Sequence, residues 1–159
     1  MTDPVIEPAE IRVAGWDERH DVAALRRAWT EENAGHPVED DDFTGRFEEW
    51  LEREQDQRVT WLGYVDGVAV AMVNLLVFTR MPRPGESAPT QWGYLANCYV
   101  LPEHRNGGLG GRMLDALTAY ADEQGFVRVV LSPSPRSVPF YLRGGFEPAT
   151  SLMVRLPGS

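Results

Sequence analysis

The sequence predicts an α/β fold, a mixed sheet with helices packed on it, and three observations lead there. Residues 59–65 and 68–78 are apolar, β-rich runs separated only by Asp66-Gly67, the dipeptide that most strongly signals a tight hairpin. Residues 95–101 form another β-prone run. It leads through Pro102 and a glycine-rich turn into a helix-periodic stretch, then into an apolar run at 127–132, which makes a strand–helix–strand crossover. Two further stretches with helical periodicity precede the hairpin.

The elements follow in order. Residues 1–9 contain Pro4 and Pro8 and read as a loose end, and residues 11–14 alternate as a short strand. Residues 21–33 read as a helix with Asp21 as its N-cap and Val22, Leu25 and Trp29 on one face. Gly35 and Pro37 end it. After an acidic loop, Phe43, Phe47, Trp50 and Leu51 recur at i, i+4, i+7 and i+8, the stripe of an amphipathic helix. The hairpin comes next. The Pro/Gly-rich loop over 80–90 is long for a hairpin connection, so it is either mobile or a rim of the site. Residues 92–101 form the strand that feeds the glycine turn. In the helix beyond, Leu109, Met113, Leu117 and Ala121 share a face, with Leu114 and Tyr120 beside them. Residues 127–132 look like a buried strand, and residues 151–156 a last one.

At 159 residues, with 43% apolar residues and five tryptophans, the chain is expected to form a single domain, 1–159. No apolar run approaches the roughly 18 residues of a membrane span, and the acidic N-terminus shows no signal peptide. Cys98 is the sole cysteine, so no internal disulfide and no cysteine-rich metal site is expected. A cytoplasmic protein is the expectation. The net charge of −9 disfavours nucleic acid as a partner. It either attracts a cationic amine or simply maintains solubility.

The chemistry concentrates between Arg105 and Leu114, RNGGLGGRML. A strand, a glycine turn and a helix start aim unpaired N–H groups and the positive helix end at one point, which suits a pyrophosphate. A P-loop is excluded because Arg112 and Met113 stand where Lys and Ser/Thr are needed. The dinucleotide fingerprint is excluded by Met113. What remains is Arg-x-x-Gly-x-Gly at Arg105, Gly108 and Gly110, which resembles the coenzyme A signature of the GCN5-related N-acetyltransferase (GNAT) superfamily. Phe140-Tyr141-x-x-Gly144-Gly145-Phe146, one helix and one strand downstream, resembles a second motif of that family.

The resemblance implies a central, mostly antiparallel mixed sheet flanked by about four helices, with acetyl-CoA as acyl donor and no metal. It implies that Arg105, Asn106, Gly107, Gly108, Leu109, Gly110, Gly111 and Arg112 form the pyrophosphate turn. The main chain of Cys98, Tyr99 and Val100 would bond the pantetheine and the thioester, and Tyr141 would protonate the leaving thiolate. Ser134 stands where many members carry a pantetheine-binding Asn, and the glutamate base that some protein-directed members place on the preceding strand has no counterpart in 127–131. The early helices commonly wall the acceptor site, which makes Glu32 and His36 candidate contacts together with Glu31 and residues 40–42. Tyr94 and Asn97 join them from the strand. The base is left among water, Tyr94, His36 and the acids of the early loop.

The implied activity is acetyl transfer to a primary amine of a small molecule or peptide in a ternary complex. The alternative is a non-catalytic coenzyme A-binding sensor of the same fold. Neither nucleic acid nor membrane is an expected partner, and exposed sheet edges allow a homodimer.

Overall fold

The computed structural model describes residues 9–158. Its sheet has five strands: β1 (Glu10–Val13), β2 (Arg58–Val65), β3 (Val68–Thr79), β4 (Gln91–Val100) and β5 (Val129–Val130). They lie side by side in chain order. The first three pairings are antiparallel, and β5 alone runs parallel to its neighbour β4. Four helices pack around it: α1 (Arg19–Ala34), α2 (Phe43–Glu54), α3 (Leu109–Glu123) and α4 (Val138–Arg143). The mixed α/β architecture expected from the sequence is present.

The hairpin forms where Asp66-Gly67 stands. Both residues are left-handed, with φ of 50° and 78°, the twist that a two-residue loop between strands needs. Strands β2 and β3 read as unbroken apolar runs because both faces of the sheet are covered. On one face Trp61, Val73 and Leu75 meet Leu109, Met113, Leu114 and Leu117 of α3. On the other, Leu62, Tyr64, Met72 and Tyr99 meet Val22, Leu25 and Phe47 of α1 and α2. Alternation along each strand therefore sorts residues between two cores rather than between core and water.

Three expectations are corrected. Asp21 is not the N-cap of the first helix. A 3₁₀ turn over Trp16–Glu18 starts the helix earlier, and Asp21, now inside it, accepts a 2.7 Å hydrogen bond from the Tyr64 hydroxyl. The strand expected over 127–132 shrinks to Val129–Val130, with Val127 exposed. Only Gly93 and Tyr94 of β4 are paired with it, so the ladder cannot continue. The last strand expected over 151–156 does not form. That segment carries no regular structure, and Leu152, Met153, Val154 and Leu156 are exposed. A strand needs an edge to pair with, and a two-residue edge offers almost no ladder. The expectation of a loose end over 1–9 falls, except for Ala9, outside the described residues. No helix among the described residues is long and apolar enough to cross a membrane.

Candidate active site

The site opens where β4 leaves its neighbours. Between Met72 and Asn74 the β3–β4 register slips, and opposite the slip Asn97 takes a left-handed φ of 53°. A bulge of this kind bends the strand and turns its backbone groups out of the ladder. On the other side β4 is paired with β5 only as far as Tyr94 and Val130. From Leu95 onward β4 and the chain after β5 diverge, leaving a chamber of about 390 Å³ between them. Its walls include Asn97 and Cys98 from β4, Ser134 and Ser137 from the segment after β5, Trp29 from α1 and Tyr141 from α4.

Strand β4 ends in a 3₁₀ turn over Pro102–His104, and the glycine turn follows. Asn106 and Gly108 are both left-handed, with φ of 66° and 85°. Gly108 is the N-cap of α3, and no side chain caps it. The N–H groups of that first turn are therefore left for another acceptor. A Cβ at Gly107, Gly108 or Gly111 would meet no atom within 4 Å, so this surface is open. At Gly110 a Cβ would touch the Phe140 ring at 3.4 Å. Leu109, by contrast, is buried in the core.

Arg105 is held beside this turn. Its Nε donates to the Val100 carbonyl at 2.9 Å and its Nη2 to Glu32 at 2.8 Å. Glu32 also accepts the Tyr99 hydroxyl at 2.7 Å, and Tyr99 stacks on Trp29. The Arg105 hydrogen bond, followed by that of Tyr99, holds the Glu32 carboxyl below the usual glutamate range. Arg112 points away from the turn and donates to the Ala9 carbonyl at 3.0 Å.

Tyr141 and Cys98 share a hydrogen bond at the chamber wall. Burial pushes the Cys98 thiol up to about 11, and burial first, then the sulfur beside it, raises the Tyr141 phenol well above its ordinary value. Both groups are protonated at neutral pH. A phenol in that state can give a proton, and a thiol in that state is a poor nucleophile.

Two more chambers lie toward α1 and α2. The nearer one, about 380 Å³, shares Asn97 with the first and is walled by Met72, Phe43, Phe47, Trp50, Arg26 and Arg46. The farther one, about 100 Å³, shares Val22, Trp50 and Asn74 with the second and reaches Thr60 and Arg58. Asn74 is buried, and its Oδ1 accepts the Thr60 hydroxyl at 2.5 Å. The three chambers thus follow one another across the sheet, with Asn97 in the walls of the first and second and Asn74 in those of the second and third.

Residues 21–146 match the family model described as the acetyltransferase (GNAT) family, from α1 to the residue after the second glycine of the Tyr141 motif. The chain belongs to the GNAT family. A glucosamine 6-phosphate N-acetyltransferase of Trypanosoma brucei brucei is 29% identical over 81 residues, which are 51% of this chain and 52% of that one, so the match spans about half the length of each. Among solved structures, a GCN5-related N-acetyltransferase from Ralstonia eutropha JMP134 superposes with a TM-score of 0.70 at 26% identity, over 94% of this chain and 99% of the other. A predicted acetyltransferase from Clostridium acetobutylicum, solved with acetyl-CoA, shares the fold with a TM-score of 0.73 at 18% identity, over 93% and 96% of the two chains.

Seen as a GNAT protein, the chain brings Tyr94, Asn97, Cys98, Ser134 and Tyr141 together around one chamber. Ser134 bonds Ser137 at 3.1 Å. Glu32 and His36 line none of the three chambers. Glu32 is committed to Arg105 and Tyr99, and His36 is exposed, its ring bonded to the Pro37 carbonyl. Of the other early acids, Glu31 near the end of α1 accepts the Val38 N–H, and Asp40 in the loop pairs with Arg46. Trp29, Asn74 and Arg58 are wall residues that the sequence reading did not assign to the site. Trp29 was absorbed by its helical stripe, and Arg58 stands one residue before the run read as a strand. Only Asn74, a polar residue in an apolar strand, left a signal.

Proposed function

We propose that this GNAT protein moves an acetyl group from acetyl-CoA to a primary amine of a small molecule or peptide, directly and within one ternary complex. The observation that carries this reading is the parting of β4 from β5, with the Tyr141 phenol at its wall and the glycine turn at the end of the same strand. Coenzyme A fits these residues. The uncapped first turn of α3 offers N–H groups to a pyrophosphate, and the open glycines leave room for it. The family uses this cosubstrate, and the trypanosomal relative is named for an amine acceptor.

In the reaction the amine nitrogen bonds to the thioester carbon, and the carbonyl oxygen gains charge that a backbone N–H freed at the β4 bulge can stabilise. The C–S bond then breaks, and Tyr141 gives its proton to the departing thiolate. No His, Asp or Glu is on the described walls of the first two chambers. Of the candidates for the base, solvent and the Tyr94 phenol at the chamber wall are left to take the amine's proton, and solvent returns one to Tyr141.

Tyr141→Phe tests the reading. Thiol release from acetyl-CoA in the presence of an amine panel should fall by roughly 100-fold or more, while calorimetry still shows acetyl-CoA binding. Full turnover in the variant would remove Tyr141 from the chemistry. Absence of acetyl-CoA binding in the parent protein would remove the reading itself.

A further inference from the structure

The three-chamber row has a polarity that the overall charge hides. The chain carries −9, yet the described walls of the second and third chambers hold Arg26, Arg46 and Arg58 and not one carboxylate. Arg46 is already paired with Asp40, and Arg26 lies over the Trp29 ring. Arg58 is different. Its Nε is buried and donates to nothing among the described residues. It forms an ion pair with the Glu54 carboxylate at 3.9 Å, too long for a hydrogen bond. Its guanidinium lies over the Trp50 ring, which fixes its plane without using its donors.

A buried donor left without an acceptor costs stability, so an acceptor brought to it is favoured. Arg58 lines a chamber of about 100 Å³, room for roughly three waters or one compact oxyanion. Every cation of this chain is an arginine, the side chain whose planar fork suits carboxylate and phosphate.

Position completes the case. Thr60, Asn74 and Ala96 stand opposite one another on β2, β3 and β4. Two strand spacings, roughly 10 Å, separate Thr60 from Ala96; with Arg58 two residues before Thr60 and Asn97 one beyond Ala96, their backbone positions stand about 14 Å apart. Asn97 opens onto the chamber that holds Tyr141.

We propose that the acceptor is an amine carrying an oxyanionic group at its far end, a carboxylate or a phosphate, and that Arg58 holds that group while the amine lies near Asn97. This rests on the acetyl-transfer reading above and gives it a substrate class. Of the two readings of the net charge, it favours solubility over recruitment of a cationic acceptor, because the charge lining the cleft differs from the charge of the whole.

The experiment compares acetylation of four amine series matched in chain length: ω-amino carboxylates, aminoalkyl phosphates, amino alcohols and diamines. The anionic series should exceed the amino alcohols in kcat/KM by about tenfold or more, the advantage growing until the chain spans the row. Comparing carboxylates with phosphates identifies which oxyanion the chamber takes. In Arg58→Gln the ratio of anionic to neutral acceptors should collapse through KM, and Arg58→Lys should restore part of it. A preference for diamines or amino alcohols, or a ratio that Arg58→Gln leaves unchanged, overturns the proposal while acetyl transfer stands. Should the protein bind acetyl-CoA but acetylate no member, calorimetric titration with inorganic phosphate and with acetate decides. Binding lost in Arg58→Gln supports the anion site, and absence of binding overturns it. Failure to bind acetyl-CoA at all instead refutes the underlying reading.

Discussion

Iodoacetamide should modify Cys98 about 100-fold more slowly than it modifies an ordinary cysteine at the same pH. The thiolate is the reacting species, and below the pKa its fraction falls tenfold per unit. Burial moves this thiol from 9.0 to about 11, with the Tyr141 hydrogen bond opposing slightly, so two units give the factor of about 100. The assay is the rate of adduct formation followed by intact mass, in the native protein and after unfolding, where the rate should recover. The consequence is mechanistic. A cysteine this weakly ionised cannot serve as an acyl carrier, so Cys98→Ala should keep turnover within roughly a factor of ten, since only main-chain groups of that residue are needed. Rapid alkylation would refute the raised thiol pKa, and an acetylated Cys98 trapped with acetyl-CoA alone would refute direct transfer.

Two predictions concern stability. The Glu32 carboxyl is held below its ordinary value of 4.5 by Arg105 and Tyr99, so the folded state binds this proton less readily than the unfolded state. Its stabilisation is present above 4.5 and is lost as pH falls through the lowered folded value. The melting temperature should therefore climb through that acid window, and Glu32→Gln should flatten part of the climb; an unchanged profile would show that the Arg105 bond contributes nothing. Gly144→Ala should cost about 1–3 kcal/mol. The new Cβ would come within 2.3 Å of Leu114, which is buried and cannot swing aside. In denaturant titrations, Leu114→Ala in the same chain should recover part of that cost, whereas strict additivity would count against the clash.

The sheet-and-helix architecture was legible because its elements carry local chemistry: Asp66-Gly67 can hardly be anything but a tight turn, and the stripe Leu109, Met113, Leu117, Ala121 has one periodicity. Arg105, Gly108 and Tyr141 were legible because they are fixed in spacing along a short piece of chain. Where the sequence reading went astray, at Asp21, residues 127–132 and residues 151–156, the outcome depended on partners far away. A helix start was moved by the turn before it. Two apolar stretches found too short an edge to pair with.

The fold class, the glycine turn and the family can be read from the chain alone, since each rests on contacts between near neighbours in it. Tertiary structure alone decided which side chains face the cleft. Glu32 is turned toward Arg105 by its place on α1, and Arg58, Asn74 and Asn97 meet one row of chambers through the pairing of three strands. The charge that an acceptor meets depends on that convergence, and residues far apart in the chain do not announce their shared wall.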